Sequence, residues 1–95
     1  MKTLHLMISG RVQRVWYRDW MVAEAVARGI SGWVRNRADG RVEALVAGEA
    51  EAVDALVAAC HRGPERARVS GIEVGAPPPE SPGLEGPGFV RIADA

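Results

Sequence analysis

The 95-residue sequence has one cysteine and no long apolar run, and these two absences restrict the setting in which the chain works. The lone Cys60 cannot form an intrachain disulfide, and no metal-ligating residues cluster around it in the sequence. No apolar stretch approaches the roughly 20 residues that cross a bilayer. The segment from Met1 to His5 lacks the apolar core of about 7–15 residues found in signal peptides. We therefore expect a cytoplasmic protein that does not contact a membrane.

The sequence also lacks net charge, since 12 basic and 12 acidic side chains balance. General nucleic-acid binders are usually basic, so we expect no nucleic-acid partner. The charges are unevenly placed: residues 1–41 carry eight basic and three acidic side chains, and residues 42–95 carry four and nine. A local anion site in the first half explains this asymmetry as well as an uneven but solvated surface does.

The pattern that is present is that of one small α+β domain over residues 1–95. Hydrophobic periodicity predicts five strands and two helices, in the order Thr3–Ser9 (strand), Tyr17–Arg28 (helix), Ile30–Asn36 and Arg41–Ala47 (strands), Glu49–Arg62 (helix), Arg68–Val74 and Phe89–Ile92 (strands). The segment Arg37–Gly40 predicts a hairpin turn, because it contains Asp-Gly. The segment Gly75–Gly88 holds all but one of the six prolines and is predicted to be an extended loop.

This order of elements predicts a ferredoxin-like βαββαβ sandwich with a short extra terminal strand. The sheet is expected to be antiparallel, with both helices packed on one face. Because this architecture supports many activities, the fold by itself does not predict a function.

The segment Gly10–Arg18 carries the chemistry, because it joins a strand to the start of a helix. A loop in this position can turn successive backbone N–H groups inward, and the helix adds its own unpaired N–H groups and the positive end of its dipole. Arg18, in the first helical turn, can bind a phosphate through two N–H groups. The sequence therefore predicts an anion site here.

Two motifs resemble those of the acylphosphatase family. The segment Gly10–Arg18 is similar to the signature Gly-x-Val-Gln-Gly-Val-x-Phe-Arg, and the segment Gly32–Asn36 followed by Asp39-Gly40 is similar to the second block, Gly-x-Val-x-Asn with an Asp-Gly turn. The resemblance covers nearly the whole chain. It implies the same sandwich and an enzyme, without metal or other cofactor, that hydrolyses a small-molecule acyl phosphate to a carboxylate and inorganic phosphate.

The resemblance also implies roles for individual residues. Arg18 would pair with the phosphate oxygens, and the Asn36 side chain would position the attacking water. The phosphoryl group would be bound by five consecutive backbone amides, those of Arg11, Val12, Gln13, Arg14 and Val15. We expect the Gln13 side chain to bond loop backbone rather than substrate.

Two positions depart from the signature: Tyr17 replaces phenylalanine, and Arg14 replaces the central glycine. If position 14 has a positive φ, a non-glycine residue there costs about 1–2 kcal/mol. Arg14 then either strains the loop or adds a cation that favours anionic acyl groups.

Some residues and functions have alternative interpretations. Trp16, Tyr17, Trp20 and Trp33 are expected to pack rather than to stack on a ligand, and Cys60 is expected in the core. His5 and His61 are not expected to bind metal. The alternative function is a non-hydrolytic or specialised module that binds an anion or carbamoyl phosphate, like the acylphosphatase-like domain of hydrogenase-maturation carbamoyltransferases. Nothing in the pattern demands a dimer, so we expect a monomer.

Overall fold

The computed structural model describes residues 1–84 and 86–95. Along this part of the chain the elements are β1 (Lys2–Arg11), α1 (Tyr17–Ala27), β2 (Ser31–Asn36), β3 (Val42–Gly48), α2 (Ala50–Cys60), β4 (Arg68–Gly75) and β5 (Phe89–Arg91). Every predicted helix and strand is present, and most ends differ by one or two residues from the prediction, which is the usual uncertainty of helix and strand ends.

The five strands form one sheet in the order β4-β1-β3-β2-β5. The first four strands in this order pair with one another in antiparallel fashion, as predicted. The last strand, β5, lies parallel to β2, so the sheet is mixed at that edge. The predicted extended loop makes this arrangement possible, because it joins β4 at one edge of the sheet to β5 at the other. The ferredoxin-like prediction is confirmed, with this parallel terminal strand as the added detail.

Strand β1 continues two residues further than predicted and includes Gly10 and Arg11. A register shift between Ser9 and Gly10 lets the strand stay paired with β4, where Arg11 lies opposite Arg68. Gly10 has a φ of 118°, and a Cβ there would lie 2.1 Å from the carbonyl oxygen of Arg68. Only glycine fits this close approach. Because β1 ends at Arg11, the loop that follows it begins at Val12.

Both helices pack on the same face of the sheet, as predicted. Alternate residues of β1 and β3, such as Leu6 and Val46, point to this face and are fully buried. Met21 of α1 and Leu56 of α2 belong to the same core cluster, and so does Cys60. Among the described residues, no helix is long and apolar enough to cross a membrane.

The other face of the sheet carries no helix, yet Trp33, His5 and Glu43 are buried there. The Trp33 Nε1–H group donates a hydrogen bond to the carbonyl of Pro82, at 3.0 Å. The proline-rich segment therefore covers part of this face. Residues 76–84 and 86–88 of the predicted loop form neither helix nor strand, while residue 85 of that loop lies outside the described residues.

Candidate active site

The loop between β1 and α1, residues 12–16, has an unusual backbone. Arg14 has a φ of 63° and Trp16 a φ of 67°, both in the left-handed region. These two residues alternate with neighbours of negative φ, an arrangement in which successive N–H groups form a concave site for an anion. Position 14 thus has a positive φ, as the glycine of the family signature suggested. Arg14 there costs about 1–2 kcal/mol relative to glycine.

The N–H groups of this loop are not used elsewhere. Within the described part of the chain, none of the N–H groups of residues 12–16 donates a hydrogen bond. Trp16 is the N-cap residue of α1, and no side chain caps the first N–H groups of that helix. Unpaired amides and the positive end of the helix dipole therefore meet at one place, which favours binding of an anion.

A cleft of about 310 Å³ opens at this loop. Its lining residues are Val12, Gln13, Arg14, Trp16, Tyr17, Arg18, Asp19, Asn36 and Arg91. The structure thus brings together Arg18 and Asn36, which are 18 positions apart in the sequence. Two predicted site residues do not line it: Val15 is in the core, and Arg11 lines a second cleft with Glu65, Arg66 and Arg68. The roles predicted for these two residues involve their backbone amides.

The Gln13 side chain fixes the loop against the β2–β3 hairpin. Its Nε2 group donates to the carbonyls of Arg37, at 2.8 Å, and Arg41, at 2.9 Å. Those two residues flank the predicted Asp-Gly turn, in which the Arg37 N–H group also bonds to the Arg41 carbonyl. Gln13 therefore has the structural role expected from the sequence, and it holds the loop beside the end of β2, where Asn36 lies.

One carboxylate oxygen joins the two residues predicted to act on the substrate. Asp94 Oδ1 accepts a hydrogen bond from Arg18 Nη1, at 3.0 Å, and another from the Asn36 backbone N–H group, at 3.2 Å. The Asp94 side chain is 55% exposed. Exposed ion pairs contribute only about 0–1 kcal/mol, so a bound phosphate can displace this carboxylate from Arg18.

Asn36 also has an unmet hydrogen bond. Its Oδ1 atom is buried and has no partner among the described residues. An unpaired buried acceptor costs about 1–3 kcal/mol, so the side chain gains free energy by turning towards a donor. A water molecule in the cleft would be such a donor.

Tyr17 shows how the chain accommodates a polar residue where the family usually has phenylalanine. The ring is buried, and its hydroxyl donates to the carbonyl of Cys60 at the end of α2, at 2.6 Å. Burial is the main cause that raises the pKa of the Tyr17 hydroxyl, and the bonded cysteine adds to it. Tyr17 is therefore a neutral packing residue, as is buried Trp33, whereas the packing prediction is wrong for Trp16, whose residue surface is 76% exposed.

Three charged residues at the site were not predicted from the sequence. Arg91 and Asp19 line the cleft and form an ion pair at 2.5 Å. Asp94 follows β5, and the Ala95 N–H group bonds to the Asn36 carbonyl beside it. No local motif marks Arg91 or Asp94, because only the parallel pairing of β5 with β2 brings them to the cleft.

These features define a class of protein: a ferredoxin-like α+β domain in which a strand-to-helix loop with unpaired N–H groups and an arginine meet at one cleft. The comparisons agree with that class. A sequence model of the family described as Acylphosphatase matches residues 4–85. The chain belongs to the acylphosphatase family.

Individual relatives support the same assignment. The chain is 59% identical to an acylphosphatase of Acidiphilium cryptum (strain JF-5) over 81 residues, which are 84% of this chain and 89% of that protein. The crystal structure of acylphosphatase from Bacillus subtilis superposes with a TM-score of 0.84 at 38% identity, covering 97% of this chain and 99% of that one. HypF from T. kodakarensis has a TM-score of 0.77 at 28% identity, and the match covers 99% of this chain but 12% of that one.

Proposed function

We propose that the cleft binds the phosphoryl group of an acyl phosphate on the loop amides and Arg18 and directs a water molecule held by Asn36 onto phosphorus. The family assignment makes the chain an acylphosphatase, which hydrolyses acyl phosphates. What we propose beyond this activity is the role of each residue at the cleft. The observation that carries them is the meeting, at one cleft, of unpaired N–H groups from residues 12–16 with the guanidinium of Arg18.

The chemistry requires little from the protein beyond binding and orientation. An acyl phosphate is a mixed anhydride, and its carboxylate is a good leaving group. The water oxygen forms a bond to phosphorus as the bond from phosphorus to the acyl oxygen breaks. Phosphoryl transfer of this kind depends on placement of the nucleophile and on stabilisation of charge on the phosphate oxygens.

Each proposed residue has one part in that reaction. The amides of Arg11, Val12, Gln13, Arg14 and Val15 donate to the phosphoryl oxygens, and Arg18 adds a charged fork of donors. The Asn36 amide orients the water without titrating, and its unpaired Oδ1 atom supports this role. The proton lost by the water passes to a phosphate oxygen of the substrate. We propose no metal and no cofactor.

We also propose the cellular location, the class of partner and the oligomeric state of the enzyme. A reduced Cys60, buried on the core side of α2, fits a cytoplasmic location. The balanced total charge fits a small-molecule substrate rather than nucleic acid. We propose that the protein acts as a monomer, because one chain by itself brings the loop, Arg18 and Asn36 to the same cleft.

Hydrolysis of benzoyl phosphate tests the proposal directly. We expect turnover without added metal and in the presence of excess chelator, with competitive inhibition by inorganic phosphate. Competition is expected because phosphate and the phosphoryl group of the substrate would bind the same amides and Arg18. A well-folded protein without turnover would contradict the proposal.

An alternative function is a specialised module that binds an anion or carbamoyl phosphate without hydrolysis. The similarity to HypF supports this alternative, because the match covers 12% of the HypF chain and the fold is therefore a small part of a much longer protein. The same assay separates the two functions. Phosphate binding detected by calorimetry, with no hydrolysis of benzoyl phosphate or carbamoyl phosphate, would support the module and exclude the enzyme.

A further inference from the structure

Most polar or aromatic residues that line the cleft already have partners. Gln13 bonds to the hairpin, and the Tyr17 hydroxyl bonds to Cys60. Arg18 pairs with Asp94, and Arg91 pairs with Asp19. Asn36 is the residue proposed to hold water. The side chains of Arg14 and Trp16 are left over, and both are exposed in the cleft.

Among the described residues, Arg14 is the cation of this cleft that pairs with no carboxylate. Within the described part of the chain it forms no ion pair, whereas the other two arginines of the cleft each do. Any residue at position 14 would supply the backbone N–H group, and the φ of 63° makes arginine about 1–2 kcal/mol less favourable there than glycine. Because it pairs with no carboxylate among the described residues, the guanidinium can bind an anionic group of a ligand through a charge-assisted hydrogen bond.

Trp16 provides an apolar surface two positions from Arg14. The residue surface is 76% exposed, which is high for a residue that buries so much apolar area when it packs. Its φ of 67° makes it a second left-handed residue in the same loop. An exposed indole that lines the cleft can stack against a planar or apolar group of a ligand.

The geometry of the reaction indicates which part of the substrate meets these two side chains. In-line attack places the leaving group on the side of phosphorus opposite the water. The acyl group therefore lies away from the water that Asn36 holds. Arg14 and Trp16 are the lining side chains without another partner, so they remain available to contact the acyl group.

We infer that Arg14 and Trp16 form an acyl-group subsite that selects acyl phosphates with a planar or apolar body and a second negative charge. This inference rests on the proposed hydrolysis of acyl phosphates. It concerns the choice among substrates, whereas the proposed function concerns the phosphoryl end that all of them share.

Two substrates that differ by one carboxylate test the charge. The measurement is the ratio of kcat/KM for 4-carboxybenzoyl phosphate to kcat/KM for benzoyl phosphate. We expect Arg14→Gln to lower this ratio about tenfold, the size of one charge-assisted hydrogen bond, and Arg14→Lys to keep most of it. Arg14→Gln keeps a non-glycine residue at the strained position, so the change reports the charge and not the backbone. The wild-type ratio should also fall in 0.5 M KCl, because salt screens an exposed charge.

A second variant tests the stacking surface. We expect Trp16→Ala to lower kcat/KM for benzoyl phosphate about fivefold or more while kcat/KM for acetyl phosphate changes less than twofold, since the methyl group offers little to stack on. Both readouts compare two substrates that share the phosphoryl group, so a change at the phosphoryl site affects both substrates alike and cancels in the comparison.

The outcomes separate this inference from the proposed function. A substrate ratio equal in the wild type and in Arg14→Gln would overturn the role of the charge. Equal losses on both substrates in Trp16→Ala would overturn the stacking role. No turnover of any acyl phosphate by the folded wild type would instead remove the proposed function, and the subsite with it.

Discussion

Arg18 and Asn36 have different environments, and the difference predicts different kinetic roles. The Arg18 guanidinium contacts Asp94, a carboxylate that stands where an anionic ligand would bind. The Asn36 side chain has a buried oxygen without a partner. A phosphate would therefore exchange places with Asp94 at Arg18, whereas Asn36 would gain a hydrogen bond that it now lacks. Arg18 should thus contribute mainly to binding and Asn36 mainly to turnover.

Alanine substitutions at the two residues test this division. Arg18→Ala should raise the Ki for inorganic phosphate and lower kcat/KM about 100-fold, because a charged donor to the phosphoryl oxygens is lost. Asn36→Ala should lower kcat by a similar factor while the Ki for phosphate changes less than about threefold. Steady-state kinetics with benzoyl phosphate and phosphate inhibition measure both quantities.

A matched control is available on α1. Arg28 forms an ion pair with Glu24 at 2.7 Å and is about as exposed as Arg18, but it lies at the other end of the helix. Arg28→Ala should leave both constants within twofold of wild type. A normal kcat in Asn36→Ala would show that Asn36 does not position the water.

At the scale of secondary-structure elements, an ionic cluster joins β1, β2 and β3 on the face of the sheet without helices. Glu43 accepts hydrogen bonds from Arg35 Nε, at 2.7 Å, and Arg37 Nη1, at 3.2 Å, and its other oxygen lies 2.6 Å from His5 Nε2. The Glu43 side chain is 3% exposed. The Arg35 guanidinium also lies over the Trp33 ring, 5.1 Å from its centre. This cluster orders the hairpin to which Gln13 attaches the loop of residues 12–16.

Removing the Glu43 carboxylate should destabilise the fold strongly. We expect Glu43→Gln to lower the free energy of unfolding by about 3 kcal/mol, because partly buried arginines lose their counter-charge. Chemical denaturation near pH 7 measures this. Glu73→Gln is the matched control: that carboxylate is 83% exposed and 3.7 Å from Arg41, so a change below about 0.5 kcal/mol is expected. Equal losses in both variants would contradict a special role for the cluster.

The same cluster predicts how stability depends on pH. Burial alone would raise the pKa of Glu43, but the hydrogen bonds from His5 and Arg35, with the charge of Arg35, outweigh it and lower the pKa below its ordinary value. A lowered pKa in the folded state contributes stability that is present above the unfolded value, about 4.3, and is lost as the pH falls through the folded value. The wild type should therefore lose its advantage over Glu43→Gln below about pH 4. An advantage that grows with acid would show that the pKa is raised instead.

The sequence predicted the elements well because their signals are local. Alternation in β1, the Asp-Gly turn and the Gly-Pro stop after α2 each depend on a few neighbouring residues. The continuation of β1 through Gly10 was not predictable, because it depends on the carbonyl of Arg68 across the sheet. For the site, Arg18 and Asn36 came from matched motifs, whereas Asp94 and Arg91 arrive through a strand pairing that no local pattern encodes. Trp16 has a left-handed backbone, which tryptophan rarely adopts, so its exposure was not predictable from local patterns.

At the scale of the whole molecule, the position of charge matters more than its total. The chain has no net charge, yet among the described residues three arginines line the cleft and Asp19 is the one acidic residue of the lining. The field around a cleft is set by nearby charges, because salt screens charges more than about 10 Å away at 0.1 M ionic strength. Capture of an anionic substrate should therefore depend on the arginines of the cleft and little on those elsewhere.

Two substitutions that each remove one positive charge test this last point. Arg91 lines the cleft and pairs with Asp19. Arg28 pairs with Glu24 and lies just after α1, a helix of 11 residues that starts at the cleft. At a rise of about 1.5 Å per residue, Arg28 lies roughly 15 Å further along. At 0.1 M salt, Arg91→Gln should raise the KM for benzoyl phosphate severalfold with kcat nearly unchanged, and 0.5 M KCl should remove most of the difference. Arg28→Gln should change KM less than twofold at either salt concentration. Equal effects of the two variants would mean that total charge, and not its placement around the cleft, governs how the substrate is captured.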